Sequence, residues 1–228
     1  MTESTQTEST PRESTQTVAI AGGHGQIALV LERLLVEAGH RAIGIVRNPD
    51  HVADVEATGA TALVFDLEKS DAATLAEHLD GVTALVFAAG GGPNSGADRK
   101  LTVDRDAAIL LADAAEAAGI RRLIIISAMA ADTFDADSDD VFQIYLRAKS
   151  EADAAVRERD LDWTIVRPGG LTNDAPTDTV LVAESTGRGT IPRADVAAVV
   201  AELLVSGSGI REQFEVISGE VPIAEALA

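Results

Sequence analysis

Thr17-Val-Ala-Ile-Ala-Gly-Gly-His-Gly-Gln-Ile-Ala28 constrains this chain more than any other stretch. Val18 to Ala21 is a short apolar run, and Gly22, Gly23 and Gly25 follow it at once. Ile27, Leu31, Leu34, Leu35 and Ala38 then recur at helical spacing. The pattern reads as strand, tight glycine turn and helix. Such a turn aims the free N–H groups of a helix start at one point, where the helix dipole adds partial positive charge. That combination suits a pyrophosphate. Gly23-x-Gly25-x-x-Ala28 fits one dinucleotide spacing and Gly22-x-x-Gly25-x-x-Ala28 a wider one, and the register stays open. The candidate cofactor residues here are Gly22, Gly23, His24, Gly25, Gln26 and Ile27, although His24 also reads as an ordinary turn-surface histidine.

Beyond this unit, apolar runs alternate with helical patterns. Strands are expected at His40–Val46, Ala62–Asp66, Val82–Ala89, Arg122–Ser127 and Trp163–Val166, with a short last strand at Phe214–Ile217. Asn48-Pro49-Asp50 reads as a helix start, and Ser70 as the cap of a helix around Ala72–Leu79. A long Ala/Leu-rich helix is expected over Asp98–Ala118, closed by Gly119, and another over Asp195–Val205. Strands alternating with helices imply right-handed crossovers and a parallel sheet covered on both faces. The expected fold class is therefore α/β, a Rossmann-type doubly wound sheet of order 3-2-1-4-5-6 spanning 17–228. Its ligand crevice should lie at the carboxyl ends of strands one and four.

Residues 1–16 are nearly all Thr, Glu, Ser and Gln, and are expected to be a disordered polar tail. The chain of 228 residues has no cysteine, which removes disulfides and thiolate sites, and its four histidines lack ligand spacing, so no metal is expected. A net charge of −19 disfavours nucleic acid and anionic membrane as partners. No apolar stretch has membrane-spanning length, and no secretory signal is evident, so a cytoplasmic location is expected.

Several positions could carry the chemistry. The second strand ends at Arg47, where an NAD site would place a carboxylate; an arginine there can instead fork onto the 2′-phosphate of NADP. This favours NADP over NAD, the alternative being a solvated arginine. Asp66 and Leu67 stand where an adenine edge would lie, with Asp66 either accepting from the adenine amino group or capping the turn. Ala88, Ala89 and Gly90 are small enough for a cofactor to lie against the backbone. In Tyr145-Leu-Arg-Ala-Lys149 the phenol and the ammonium share a helix face. A nearby ammonium should lower the tyrosine pKa and make it a better acid/base group; the same lysine can bind a cofactor ribose. The other reading is an amphipathic helix whose tyrosine packs on the sheet. Ser127, ending the fifth strand, is placed either to bond a substrate carbonyl or to cap a turn.

Taken in chain order, Gly22–Ala28, Val46-Arg47, Asp66-Leu67, Ala88–Gly90, Ser127, Tyr145–Lys149, Thr164–Leu171 and Ile191–Val196 resemble an atypical short-chain dehydrogenase/reductase of the NAD(P)-binding NmrA-like, or epimerase/dehydratase-like, type. The resemblance covers essentially 17–228. It implies a Rossmann fold, NADP(H), and Ser127, Tyr145 and Lys149 in catalytic positions. The chain departs from that pattern at Val103-Asp104, where active relatives often carry asparagine, and in the acidic loop Asp132–Asp140 between Ser127 and Tyr145. That loop lacks the glycine and closing glutamate of a calcium loop and reads as a solvated flank of the crevice that disfavours anionic substrates.

The expected function is an NADP(H)-dependent oxidoreductase acting on a small carbonyl or flavin-like compound. The alternatives are a non-catalytic NADP(H)-binding redox sensor or an epimerase/dehydratase. The stretch between Arg167 and Arg193, short and polar, is the only one free to form a substrate lid, which favours a small substrate or none.

Overall fold

The computed structural model describes residues 15–92 and 95–228. It opens with β1 (Thr17–Ala21), the glycine turn and α1 (Gln26–Glu37). Then come β2 (Arg41–Val46), α2 (Val52–Glu56), β3 (Thr61–Val64), α3 (Ala72–Ala76) and β4 (Ala84–Phe87). Next, α4 (Ala97–Arg99) passes through a π-helical stretch, Lys100–Asp106, into α5 (Ala107–Ala118). After β5 (Arg122–Ile126), α6 (Val141–Arg157) and β6 (Asp162–Pro168) come the short β7 (Gly170–Thr172), β8 (Thr179–Ala183) and β9 (Thr190–Pro192). The chain closes with α7 (Arg193–Ser206), β10 (Glu212–Ser218), β11 (Val221–Pro222) and α8 (Ile223–Ala226).

The sheet runs β3-β2-β1-β4-β5-β6, parallel throughout, and continues through β10, also parallel to β6. Beyond β10 the direction reverses, with β8 antiparallel to β10 and β11 antiparallel to β8. Side chains alternate between two buried faces, as the period of a strand requires. Val18 and Ile20 of β1, with Ile124 and Ile126 of β5, join the core under α1 and α7. Ala19, Ala21, Leu123 and Ile125 join the opposite core, under α5 and α6. With both faces covered, these strands show no polar side, which accounts for the continuous Leu-Ile-Ile-Ile run. β1 sits between β2 and β4, so the chain leaves its centre in opposite directions and opens a crevice beyond Ala21 and Phe87.

Several local expectations change. Asn48 does cap its turn, its Oδ1 accepting from Asp50 N–H at 3.1 Å. The helix after β3, however, is capped by Asp71, which accepts from Thr74 N–H at 2.8 Å, and not by Ser70. The expected disordered tail lies outside the described residues over 1–14. Gln16 is anchored: its N–H donates to His40 Nδ1 at 3.2 Å and its side-chain amide to the Leu204 carbonyl at 2.8 Å. The stretch from Arg167 to Arg193 is not a free lid. β8 is part of the main sheet, and β7 pairs with β9 in a small second sheet. Buried Asp195 fixes the connection by accepting from the Thr177 and Asp178 amides and the Thr177 hydroxyl. None of the described helices is long and apolar enough to cross a membrane.

Candidate functional site

The glycine turn is built by close approach. Gly22 has φ +83°, in the left-handed region, and a Cβ there would stand 2.6 Å from Ala89 Cα. A Cβ on Gly23 would stand 2.6 Å from Gly44 Cα on β2. Both amides donate to the Ile45 carbonyl, at 3.2 and 3.0 Å, and Gly25 N–H turns back to the Gly22 carbonyl at 2.8 Å. The first helical bond runs from Leu29 N–H to the Gly25 carbonyl, so Gln26, Ile27 and Ala28 head the helix with their N–H groups unpaired by it. Gly25 brings no capping side chain, and the first turn holds no acidic residue. In a chain of net charge −19, this helix start is thus left open to an external anion. Gly22, His24 and Gly25 face the crevice, whereas Gly23 packs behind the turn against β2. Gln26 is exposed, and Ile27 reaches the neighbouring cavity. His24 stacks on His51 with ring centroids 3.6 Å apart, its Nε2 2.8 Å from Asp54 Oδ2.

From this turn a cleft of about 310 Å³ runs toward β2 and β3, lined by Arg47, Asn48, Phe65, Asp66, Leu67 and Glu68 among others. Arg47 does project here, half-exposed, and donates through Nη1 to Glu68 Oε2 at 2.5 Å. A second guanidinium, which the sequence reading did not single out, faces it: Arg99 Nη2 lies 3.4 Å from the same oxygen. Asp66 acts as a turn cap, Oδ1 accepting from Glu68 N–H at 3.1 Å, and its Oδ2 lies 3.2 Å from Lys69 Nζ.

On the other side of Ala88, Ala89 and Gly90, which line both spaces, a cavity of about 620 Å³ opens. It brings Ser127, Tyr145 and Lys149 together, with Lys100, Asp104, Asp140, Phe142 and Leu171 around them. The expected Tyr–Lys activation is not what these residues form. Lys149 is buried, its Nζ 3.5 Å from Asp104 Oδ1 and donating to the Ile126 carbonyl at 3.2 Å. Asp104, also buried, accepts from Gly91 N–H at 3.0 Å. Lys149 Nζ is 6.0 Å from the Tyr145 ring centroid and its charge is answered by Asp104. Burial, with Asp104 and Asp153 nearby, therefore raises the Tyr145 pKa instead of lowering it.

Ser127 donates to Asp153 Oδ2 at 2.8 Å. Burial raises the Asp153 pKa, opposed by Arg167, which donates to the same oxygen through Nε and Nη2 at 2.9 and 2.7 Å. Arg167 also forks onto Asp132, at 2.7 and 3.0 Å, and Asp132 accepts from Ser150. The acidic loop is thus not merely solvated: Asp132 is bound into the scaffold and Asp140 caps α6, accepting from Phe142 N–H at 2.8 Å. Phe142 is 60% exposed at the mouth, beside Tyr145 with centroids 6.0 Å apart. Asp104, Asp153, Arg167 and Arg99 act through partners distant in sequence, which no local spacing announces.

Comparison with known proteins shows the family. A family model described as NAD(P)H-binding matches residues 22–206. The chain is 37% identical over 211 residues to the uncharacterized sugar epimerase YhfK of Bacillus subtilis (strain 168), covering 92% of this chain and 98% of that one. A solved structure from Bacillus halodurans, provisionally assigned as an NAD-dependent epimerase/dehydratase, superposes with a TM-score of 0.85 at 34% identity, covering 93% of this chain and 98% of the other. The oxidoreductase ylbE of Lactococcus lactis superposes with a TM-score of 0.79 at 26% identity, covering 93% and 95%.

Proposed function

The chain belongs to the NAD(P)H-binding family, and on that premise we propose that it is an NADP(H)-dependent oxidoreductase that reduces a small, flat carbonyl or flavin-like compound. The observation that carries this reading is the shared floor of the two spaces. Ala88, Ala89 and Gly90 join the cleft leading from the glycine turn to the cavity holding Tyr145. The amides of Gln26, Ile27 and Ala28 would hold the pyrophosphate, Arg47 and Arg99 the 2′-phosphate, and Lys149 the nicotinamide ribose. When bound, the nicotinamide supplies the hydride.

The chain's own residues do the rest. Tyr145, with its pKa raised, keeps its proton at neutral pH, so it is present as the protonated donor to the substrate oxygen or nitrogen, while the phenolate that the reverse reaction needs is scarce. Ile27, Ile126, Val141, Phe142 and Leu171 give the cavity apolar walls. The charged residues that line it, Lys100 and Lys149 against Asp104 and Asp140, balance, which favours an uncharged substrate. The names of the two Bacillus relatives favour a second reading, epimerase chemistry, in which cofactor is regenerated within each turnover and none is consumed.

Titration should show NADPH bound more tightly than NADH, and Arg47→Ala should narrow that gap. Tyr145→Phe should lower NADPH-dependent turnover by roughly 100-fold or more while leaving NADPH affinity within about twofold. Unchanged turnover would remove Tyr145 from the chemistry. No NADPH oxidation across a panel of quinones, aldehydes, ketones and flavins would favour cofactor binding without reduction, and epimer formation without NADPH loss would favour the second reading.

A further inference from the structure

We propose that Glu68 is a displaceable internal anion that occupies the 2′-phosphate subsite and sets how strongly the protein distinguishes NADPH from NADH. The proposal rests on the reading of Arg47 as a 2′-phosphate residue. Three groups from different parts of the chain converge on this one carboxylate. Arg47 follows β2 and donates to Oε2 at 2.5 Å, Arg99 closes α4 and reaches the same oxygen at 3.4 Å, and Thr102 in the π-helical stretch donates to Oε1 at 2.7 Å. Two guanidiniums and a hydroxyl directed at a single point make a receptor for an anion with more oxygens than a carboxylate offers. Donor capacity is left over: among the described residues, the buried Nε of Arg99 has no partner.

The carboxylate is held without being locked in. Glu68 is about one-fifth exposed, and Arg47 and Arg99 are 49% and 39% exposed, a setting in which ion pairs contribute little to stability. The guanidiniums can therefore exchange Glu68 for a phosphate at small expense. Glu68 nevertheless remains tethered beside them as a like charge, weakening the attraction a 2′-phosphate would otherwise feel. With NADH, which brings no such phosphate, Glu68 continues to neutralise the arginines. The carboxylate thus blunts the preference for NADPH instead of abolishing it.

The test uses the full chain and two probes, 2′,5′-ADP and 5′-ADP, titrated calorimetrically. Glu68→Gln should bind 2′,5′-ADP about fivefold more tightly or better, as expected for removing one like charge within about 4 Å, and should change 5′-ADP by less than about twofold. Arg99→Ala, which leaves Glu68 in place, should weaken 2′,5′-ADP and spare 5′-ADP. This keeps the proposal testable if Glu68→Gln folds poorly. An affinity ratio for the two probes that is unchanged in Glu68→Gln, or 2′,5′-ADP binding indifferent to Arg99→Ala, overturns the proposal. If Arg47→Ala also leaves 2′,5′-ADP binding unchanged, the assignment of Arg47 falls with it. If Arg47→Ala weakens that binding while Glu68→Gln does nothing, only the role of Glu68 falls.

Discussion

Burial first, and the charge of Asp104 after it, raise the Tyr145 pKa. Asp104 also sits 3.5 Å from Lys149. Asp104→Asn removes that charge, which favours phenolate and brings the Tyr145 pKa down. The alkaline limb of the NADPH-dependent rate, where loss of the tyrosine proton ends donation, should move to lower pH in this variant. A pH–rate profile that superposes on that of the wild type would show that Asp104 does not act on the tyrosine. Tyr145 and Lys149 were legible in the sequence because four residues of helix put them on one face. The direction of the Tyr145 shift was not legible. It depends on Asp104, which arrives from a different helix, and on burial that exists only once the cavity is assembled.

Side chains from α1 and α2 press against β2 at Gly44. A Cβ on Gly44 would stand 2.5 Å from Glu32 Oε1 and 2.7 Å from Val55 Cγ1. Glu32 itself is fully buried; its Oε2 accepts from Thr58 at 3.2 Å, and among the described residues Oε1 has no partner. Burial raises its pKa to about 7. The folded protein then holds a proton that the unfolded chain releases near the ordinary glutamate value. Stability from this site is fully present below about pH 4.5 and lost as pH rises through about 7. The full loss should be on the order of 3 kcal/mol, about 1 kcal/mol of it between pH 6 and pH 8, and Glu32→Gln should flatten it. Urea unfolding at pH 6 and pH 8 measures this, and an identical pH dependence in both proteins would exclude Glu32 as its source. The helical period of α1 announced its apolar face through Leu31 and Leu35, but it gave no sign that Glu32 is buried as well. That follows from a glycine on β2, a neighbour that only sheet pairing supplies.

At the scale of the whole molecule, the six central strands were legible because each carries its apolar run and its turn residues locally. The extension through β10, β8 and β11 was legible only in part. β8 is five residues long with polar flanks, and its place is decided by pairing with β10, far along the chain. The net charge of −19 acts over this entire surface, and self-repulsion disfavours the compact state. Raising sodium chloride from about 0.05 to about 1 M, which shortens the screening length severalfold, should therefore raise the melting temperature. A melting temperature that falls with salt would mean that the surface ion pairs outweigh the net repulsion. Within this anionic shell, the strip from Ala88 to Gly90 is the threshold between two rooms. A side chain with the bulk of leucine at position 88 would become a partition there. On the proposed cofactor placement, such a protein would still grip a nucleotide by its adenosine end but could not present the reactive ring to a guest next door, so recognition and turnover would come apart at a single position.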